Sequence, residues 1–301
     1  MSVPKQQSTR GAKIVTEGVD NFSNRRSTTL NDYRLGNILW AGRGRSHMTE
    51  KATRPIRSDE TLLAILEALE ERTTPSVSDV ATYAGVSKST AHNHLSTLRE
   101  HGYVVDGERG YELSLRFLEL GESVRMNTEI YEVARPHADE LSRETGLLVN
   151  ISVEDRGKGV YLYRTRGDDR IRLSTRAGEV HELHCTATGK AILAHLPERR
   201  VESILDRHGL PKRSENTITD RETLRSELTE IRERGYSVDD EEYGQGLRCV
   251  GVPVLNGDDA VIGALSASGP ATEVVGERLT TELPTRLKRV RNRIELNLRD
   301  Y

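Results

Sequence analysis

Two short helices joined by a tight glycine turn are the feature that most constrains this sequence. The first helix has apolar residues at the spacing of one helix face, namely Val77, Val80, Ala81 and Ala84. Ser76 and Asp79 stand three residues apart at its start, as the two halves of a capping box do. Gly85 can end this helix in the left-handed region, and Ser87 can cap a second helix that buries Ala91, Leu95 and Leu98. The spacing predicts a helix-turn-helix.

The flanking segments predict that this motif belongs to a winged helix. Ser58 is placed to cap a preceding helix whose apolar stripe consists of Leu62, Ile65, Leu66 and Leu69. After Gly102, residues 103–105 and 111–113 have the composition of short strands around a turn-rich tip at 106–110. Three helices followed by a hairpin indicate a winged helix-turn-helix DNA-binding domain over residues 51–113. The alternative is a three-helix bundle with a hairpin that takes no part in binding.

The rest of the chain predicts a second domain. Residues 114–145 contain two helical patterns, of which the first, over 114–127, is interpreted as a linker helix. In residues 128–301 we expect strands at 147–153, 159–164, 248–255 and 260–266, and helices at 188–196, 198–208, 220–234 and from Leu279 onward, with Pro284 as a possible kink. The expected fold class is α+β: an N-terminal winged helix-turn-helix, a linker helix and a C-terminal α/β domain with a mixed or antiparallel sheet.

Composition and charge narrow the class of protein. No apolar run reaches the roughly 18 residues of a membrane helix, and the two cysteines, Cys185 and Cys249, suit a reducing cytoplasm. Residues 1–57 contain 11 Lys or Arg and 4 Asp or Glu, which gives a net charge of +7. Residues 58–301 contain 33 basic and 43 acidic residues, which gives a net charge of −10. Residues 1–50 show no periodicity and are expected to be a disordered or non-native extension. A basic arm that contacts DNA phosphates is the alternative.

The second helix of the motif has the side chains of a DNA reader. The major groove admits a helix, where Asn can bond adenine with two hydrogen bonds and Ser or Thr can reach bases or phosphates. Lys88 suits phosphate oxygens, and Arg109 at the hairpin tip suits the DNA backbone or the minor groove. A merely solvated helix face is the alternative. The candidate DNA-binding residues are Ser87, Lys88, Ser89, Thr90, His92, Asn93, Ser96, Thr97 and Arg109, and the expected partner is double-stranded operator DNA.

The order of residues resembles the IclR (isocitrate lyase regulator) family. In the first domain the resemblance rests on residues 80–81 (Val-Ala), 85–90 (Gly-Val-Ser-Lys-Ser-Thr), Leu95, Leu98 and 102–104 (Gly-Tyr-Val). In the second domain it rests on residues 176–178, 183–191 (Leu-His-Cys-Thr-Ala-Thr-Gly-Lys-Ala), 235–242, 246–250 and 265–270 (Leu-Ser-Ala-Ser-Gly-Pro). These segments follow the family's order at similar separations, and the resemblance covers about residues 58–298.

The resemblance implies a small-molecule effector and an oligomer. Members of the family bind an organic acid or related metabolite in the second domain and assemble as dimers or tetramers, so residues 128–301 are expected to bind the effector and to oligomerise. Matching motif to motif gives the effector-binding residues Ala187, Thr188, Asp239, Leu247, Cys249, Ser266 and Ser268. N–H groups at the start of a helix over 186–189 can bind a carboxylate, and the two serines offer hydroxyls from one side of a strand. His181 stands where members that bind very small acids have an apolar residue. It therefore suggests a roomier or more polar site, which leaves organic, sugar and aromatic acids open.

An enzyme is the alternative interpretation of the second domain. His184, Cys185 and Cys249 could form a Cys–His pair, or a metal site with His181 and Asp239. No CxxC, HExxH or GxSxG motif accompanies them, and single cysteines in apolar strands usually pack. We therefore expect no catalytic residue, metal ligand or cofactor.

Together these patterns predict a cytoplasmic, sequence-specific transcription regulator without membrane association. It is expected to be a homodimer or homotetramer whose DNA affinity or activity responds to a small metabolite. A DNA-tethered enzyme and an inert DNA-binding structural protein are the alternatives.

Overall fold

A computed structural model of the chain describes residues 54–72, 74–165 and 176–299. The predicted extension at 1–50 lies outside these residues. The first described elements are three helices and a hairpin: α1 (Arg57–Glu71), α2 (Val77–Ala84), α3 (Lys88–Glu100), β1 (Val104–Asp106) and β2 (Tyr111–Leu113). Their side chains enclose a small core built from Ile65, Leu69, Val80, Leu95, Leu98 and Val104 among others. This is the winged helix-turn-helix that the sequence predicts.

Local chemistry explains why α2 and α3 begin and end where they do. The Ser76 hydroxyl accepts from the Asp79 N–H at 3.3 Å while the Ser76 N–H donates to the Asp79 carboxylate at 3.0 Å, so the capping box is confirmed. Gly85 has φ +66°, and Ser87 caps α3 by accepting from the Thr90 N–H at 3.1 Å. The turn between the two helices is therefore specified by its own residues.

Two boundaries differ from the expectation. Ser58 does not cap α1: the helix begins at Arg57 after Ile56, without a side-chain cap, and the Ser58 hydroxyl lies 3.4 Å from the Asp59 carboxylate within the first turn. Strand β1 begins at Val104 rather than at 103, because the Tyr103 N–H donates to the Leu98 carbonyl at 2.8 Å and thereby completes the end of α3.

The hairpin is attached to the helices rather than projecting freely from them. The N–H of Tyr111 donates to the carbonyl of Pro75 at 3.1 Å. A Cβ at Gly110 would lie 2.1 Å from that same carbonyl oxygen, so only glycine permits this approach. The wing is thus integrated with the start of α2, and its part in DNA binding stays a prediction.

Two helices follow the wing, as the sequence predicts. Helix α4 (Arg116–Met126) leads to α5 (Glu129–Thr145), which Gly146 ends at φ +69°. The two helices differ in burial: α5 packs Ile130, Ala134, Ala138 and Leu141 into the core of the second domain, whereas none of the eleven described residues of α4 is buried.

A six-stranded sheet organises the second domain within the described part of the chain. The strands are β3 (Leu148–Asp155), β4 (Lys158–Arg164), β5 (Val180–His181), β6 (Ser237–Asp240), β7 (Leu247–Leu255) and β8 (Val261–Pro270). Their order is β5-β4-β3-β8-β7-β6, and every neighbouring pair is antiparallel. The antiparallel alternative among those expected is therefore correct. The edge strands β5 and β6 were not expected, and β8 runs to Pro270 rather than ending at 266.

Helices cover both faces of this sheet. On one face, α5 and α9 (Leu283–Arg299) bury the apolar side chains of alternate strand residues, such as Ile151, Val250 and Leu265. The opposite face lies under α6 (Ala187–His195), while α7 (Glu198–His208) and α8 (Arg221–Arg234) pack against α6. On this second face the strand centres contribute polar or small residues, namely Asn150, Cys249, Gly251, Ser266 and Ser268. The sheet therefore has an apolar side and a polar side.

The last helix has an irregular start that Pro284 explains. Residues Arg278–Glu282 form a π-helical turn directly before α9. Because Pro284 has no N–H, the carbonyl four residues earlier, at Thr280, lacks its helical donor. The Tyr236 hydroxyl donates to that carbonyl at 3.3 Å instead. The structure therefore has a wide turn directly before Pro284, and the kink expected at Pro284 itself stays a prediction.

Candidate functional site

The outward face of α3 is the first candidate site. Lys88, Ser89, His92, Asn93 and Thr97 are exposed, whereas Thr90 and Ser96 are half-buried. The Ser87 hydroxyl lies 2.9 Å from both the Ser89 and the Thr90 hydroxyls, so these three side chains hold the first turn of the helix. Thr97 donates to the Asn93 carbonyl at 3.0 Å. The side chains best placed to reach a DNA groove are therefore Lys88, His92 and Asn93.

Arg109 belongs to the same surface region only through the hairpin. It is exposed at the tip between β1 and β2. The tip end of β1 is tied to α3, because Arg99 donates to both carboxylate oxygens of Asp106 at 3.0 and 3.2 Å. The sequence had not singled out this pair. It fixes the wing relative to α3, which is the helix that would enter a groove.

The second candidate site is a cavity between α6 and the polar side of the sheet. All seven residues expected to bind an effector line it: Ala187, Thr188, Asp239, Leu247, Cys249, Ser266 and Ser268. Six further residues that the sequence had not indicated also line it: Leu148, Asn150, Tyr161, Arg164, Thr186 and Tyr243. The cavity is small in this structure: its volume is about 20 Å³, which is room for about one water molecule, so a larger ligand has to widen it.

Strand register aligns the polar residues of the cavity floor. Cys249 pairs with Asp239 on one side and with Ser268 on the other, so these three residues form one row across β6, β7 and β8. Asn150 pairs with Ser266 in the next row. The Asn150 amide nitrogen donates to the hydroxyls of Ser266 and Ser268, each at 3.2 Å. Both serines can therefore still donate their own hydroxyl protons to a ligand.

Asp239 supplies a buried carboxyl group at one end of the floor. One of its oxygens accepts from the N–H groups of Glu242 and Tyr243 at 2.8 and 3.2 Å. Burial and, to a lesser extent, the nearby Glu242 carboxylate raise the pKa of Asp239 to about 7, against the opposing effect of the Lys190 ammonium. Near neutral pH this carboxyl group can thus either donate or accept a proton in a hydrogen bond.

The start of α6 closes the cavity from above. Thr186 caps the helix by accepting from the Gly189 N–H at 3.1 Å. Ser237 donates to the Ala187 carbonyl at 2.5 Å, and a Cβ at Gly251 would lie 2.7 Å from that same carbonyl, so the helix start rests directly on the sheet. The Thr188 hydroxyl is buried and has no hydrogen-bond partner among the residues that the structure describes. A buried hydroxyl of this kind normally has a partner, and a ligand in the cavity would supply one.

His181 does not line the cavity, so the expectation that it makes the site roomier or more polar is wrong. Its ring packs against the ring of Tyr161, with centroids 4.2 Å apart, and Tyr161 in turn lines the cavity. The imidazole bonds the Ser152 hydroxyl at 2.9 Å and the Thr186 hydroxyl at 3.2 Å. Burial lowers the pKa of His181 to about 4, so it is neutral at physiological pH. His181 supports the wall rather than forming it.

The cysteines have the properties of packing residues. Burial raises the pKa of the Cys185 and Cys249 thiols well above the usual range, and the Asp239 carboxylate adds to the effect at both. Such thiols stay protonated, whereas a nucleophilic cysteine requires the thiolate. The His184 ring lies 3.1 Å from the Pro211 carbonyl rather than pairing with a thiol. Across residues 54–72, 74–165 and 176–299, no group of three or more His, Cys, Asp or Glu side chains could hold a metal ion.

Among the helices that the structure describes, none combines the length and the apolar character that a membrane-spanning helix requires.

Comparison with known proteins places both domains in one family. The model for the IclR helix-turn-helix domain matches residues 61–107, and the model for the bacterial transcriptional regulator IclR C-terminal domain matches residues 123–295. The regulator XynR of Escherichia coli is 37% identical over 216 residues, which cover 71% of this chain and 86% of XynR.

Two solved structures have the same fold. The crystal structure of Thermotoga maritima IclR matches with a TM-score of 0.68 and 31% identity, covering 80% of this chain and 96% of that one. An IclR homologue from Microbacterium hydrocarbonoxydans, crystallised in complex with 4-hydroxybenzoate, matches with a TM-score of 0.71 and 26% identity, covering 81% of this chain and 100% of its own. The two family models together cover most of the described chain. The chain belongs to the IclR family of transcriptional regulators.

Proposed function

We propose that this regulator binds a specific operator sequence through α3 and that a small metabolite in the cavity changes its operator affinity. The observation that carries the proposal is the buried Thr188 hydroxyl, which has no partner among the described residues and lies in a cavity lined by further polar groups. Leaving such a group unpaired costs about 1–3 kcal/mol. A ligand that pairs with it recovers this free energy.

On the DNA side, we assign direct base contacts to α3 and phosphate contacts to its surroundings. Asn93 and His92 are exposed on the outward face, where an Asn amide can bond one adenine with two hydrogen bonds. Lys88 at the start of the helix and Arg109 on the wing provide positive charge for phosphates. Ser87 and Thr90 act mainly by holding the first turn in place.

On the effector side, we propose an organic, sugar or aromatic acid. The cavity offers hydroxyls from Ser266 and Ser268, the amide of Asn150 and the aromatic rings of Tyr161 and Tyr243. The homologue crystallised with 4-hydroxybenzoate shows that a hydroxylated carboxylate can occupy a protein of this fold. The Cys249 thiol in the cavity is protonated and buried, so we assign this domain a binding role without catalysis.

We further propose that the protein acts in the cytoplasm as a homodimer, or as a tetramer of two such dimers. Five large apolar side chains are exposed on or beside α4: Leu115, Leu118, Leu120, Val124 and Met126. At 3.6 residues per turn these side chains fall on two sides of α4, with Leu118 on one side and Val124 on the other, and exposed apolar side chains of this size mark an interaction surface. A second copy of α4 would cover one of these sides and would place two recognition helices on the two half-sites of a palindromic operator. Residues 51–113 would then be the DNA-binding domain, 114–127 the linker and 128–301 the effector domain.

Selection of DNA from a random library tests the DNA-binding part of the proposal. We expect enrichment of a palindromic sequence that the full chain binds about a thousandfold or more tightly than random DNA at the same salt concentration. Sedimentation of the same protein should show a dimer, and the double substitution Leu118→Lys and Val124→Lys should shift it to the monomer. Recovery of unenriched DNA, or a wild-type monomer at micromolar concentration, would contradict the corresponding part of the proposal.

A further inference from the structure

Helix α4 is held to the rest of the chain at each of its two ends. At its first end the Arg116 guanidinium lies over the ring of Tyr103, 4.7 Å from the centroid, and the Phe117 ring lies 5.5 Å from the same ring. Arg116 also donates to the His101 carbonyl at 3.2 Å. Because His101 and Tyr103 directly follow α3, this end of α4 moves together with the recognition helix.

The other end of α4 meets the effector domain at a joint of two residues. Asn127 ends α4, and Thr128 precedes α5 in an extended conformation, with φ −92° and ψ 114°. A break of this length does not by itself fix the angle between two helices, because a few residues at the ends of elements can absorb changes in φ and ψ. A side-chain contact across the joint is therefore needed to fix the direction of α4.

Arg125 and Tyr131 provide such a contact from the two sides of the joint. The Arg125 guanidinium lies over the Tyr131 ring, 4.7 Å from the centroid. Its ion-pair partner, Glu122, belongs to α4 itself and so does not hold α4 on α5. The Arg125 Nε is buried and has no hydrogen-bond partner among the residues that the structure describes. The face of the Tyr131 ring thus compensates a guanidinium whose partial burial would otherwise be unfavourable.

The ring of Tyr131 is itself fixed within the effector domain. Tyr131 is buried in the core between α5 and the sheet. The Tyr163 ring on β4 meets it edge-on, with centroids 6.2 Å apart, and the Tyr163 hydroxyl donates back to Asp139 on α5 at 2.7 Å. Arg125 therefore contacts a ring that is held by both α5 and the sheet.

We propose that Arg125 is a positioning residue: through Tyr131 it fixes the direction of α4, and thereby the separation of the two recognition helices in the dimer. Helix α4 has 11 residues, which makes it about 16 Å long. A tilt of about 10° at the joint moves its far end by about 3 Å, close to the rise of about 3.4 Å per base pair. The contact then determines which spacing between half-sites the dimer accepts, while the base contacts of α3 stay the same. This inference rests on the proposed function, since it requires a dimer on a palindromic operator.

Operators that differ in the distance between their half-sites test the inference on the full-length chain. The selected palindrome is rebuilt with one or two base pairs removed or added at its centre, and each Kd is measured at one salt concentration. We expect the wild type to bind one spacing about tenfold or more tightly than its neighbours, because one base pair rotates a half-site by about 35° relative to the other.

Substitution of Arg125 should weaken this preference. Arg125→Met keeps the apolar stem of the side chain but removes its charge. It should reduce the ratio between the preferred and the neighbouring spacings about threefold or more, since a cation–π contact is lost. The effects of single-base changes within a half-site should match those in the wild type, because α3 is untouched.

Further variants separate the ring contact from other roles of Arg125. Tyr131→Phe keeps the face of the ring and should keep the spacing preference, whereas Tyr131→Leu should relax it, and adding Arg125→Met to Tyr131→Leu should relax it no further. Glu122→Gln removes the ion pair within α4 and should leave the preference unchanged. Arg143→Met, at an exposed arginine of α5, is the matched control. Circular dichroism confirms that each variant is folded, and Arg125→Met and Tyr131→Phe decide the question if Tyr131→Leu is not.

The outcomes separate this inference from the proposed function. A spacing preference that Arg125→Met leaves unchanged, or that Glu122→Gln relaxes equally, would overturn the inference and leave the proposed function standing. A wild type that binds its palindrome equally well at every spacing would do the same. Loss of base preference within the half-sites of folded Arg125→Met would also overturn it, because positioning alone does not alter the contacts of α3. Selection that yields no palindrome would count against both.

Discussion

The ammonium group of Lys190 on α6 forms a buried ion pair with the carboxylate of Glu242, which follows β6. Glu227 on α8 approaches the same ammonium group at 3.7 Å. The backbone N–H of Glu242 in turn donates to Asp239 in the cavity wall at 2.8 Å. One buried positive charge thus connects α6, α8 and the segment that holds Asp239 in place.

Removing this charge should destabilise the second domain. Lys190→Met should lower the free energy of unfolding by about 3 kcal/mol at pH 7, because it leaves a buried carboxylate uncompensated. Urea unfolding followed by circular dichroism measures the change. Arg225→Met is the control, since Arg225 pairs with Glu202 and Glu222 on the surface and its loss should barely move the unfolding midpoint. Equal effects of the two substitutions would show that the buried pair contributes nothing beyond an exposed one.

The raised pKa of Asp239 predicts how stability depends on pH. The pKa is about 7 in the folded chain and about 3.9 in an unfolded one, so between these values the folded state binds the extra proton. The contribution of Asp239 is therefore most favourable below about pH 4 and is lost as the pH rises to about 7, by up to about 1.4 kcal/mol per pH unit. Asp239→Asn should remove this slope.

The comparison must be made as a difference between wild type and variant. The lowered pKa of His181, about 4, gives the opposite slope between about pH 6.5 and 4, because the unfolded chain then binds the proton. Both proteins contain His181, so its contribution cancels in the difference. Parallel stability curves for wild type and Asp239→Asn from pH 5 to 8 would mean that Asp239 is ionised throughout.

Asn93 should determine one base of the operator. It is exposed on the outward face of α3, and we expect Asn93→Ala to weaken specific binding by about 1–3 kcal/mol and to relax the preference at one position. Titration of the selected operator and its single-base variants at fixed salt measures both effects. Asn292→Ala, which removes an exposed Asn from α9, is the control. An unchanged preference at every position would exclude Asn93 from base contact.

Thr188 should reveal the cavity as a ligand site through opposite effects on stability and affinity. Thr188→Val removes a buried hydroxyl that has no partner among the described residues, so the Tm without ligand should stay the same or rise. Ligand affinity should fall by about fivefold or more, because the ligand then loses that hydrogen bond. Thr217→Val is the matched control, since the Thr217 hydroxyl is buried and accepts from the N–H groups of Arg213 and Ser214. It should lower the Tm, and a similar loss in Thr188→Val would indicate that Thr188 has a structural partner.

The sequence predicts the first domain well because its signals are local. The caps at Ser76 and Ser87 and the turn at Gly85 lie within three residues of the atoms they bind. Ser58 shows the limit of this reasoning. It is the second residue of α1, two positions after the N-cap residue Ile56, and the sequence alone does not distinguish such a serine from one that caps the helix. The edge strand β6 was missed because half of its residues are aspartates, and its strand character depends on pairing with β7.

The cavity could be predicted only in part. The family resemblance indicated residues on α6, β6, β7 and β8 that do line it. The same resemblance did not indicate Arg164 or Tyr161, whose approach depends on β4 pairing with β3. Asn150 did leave a signal, since it is a polar residue flanked by the apolar residues Val149 and Ile151. The position of His181 behind Tyr161 depends on the packing of two side chains, which no spacing along the chain reveals.

Along β3, β7 and β8, residues that face the cavity alternate with residues that face the apolar core, and this alternation limits how relatives of this protein can diverge. Near the strand centres, residues that face the cavity alternate with residues that face α5 and α9, as Ser266 does with Leu265 and Ala267. Point substitutions at cavity positions can therefore change which metabolite is recognised without disturbing the apolar core. Insertion or deletion of one residue in these strands would exchange the two faces and place hydroxyls against α5 and α9. New effector preferences in this lineage should accordingly arise by substitution, while the lengths of these three strands stay constant.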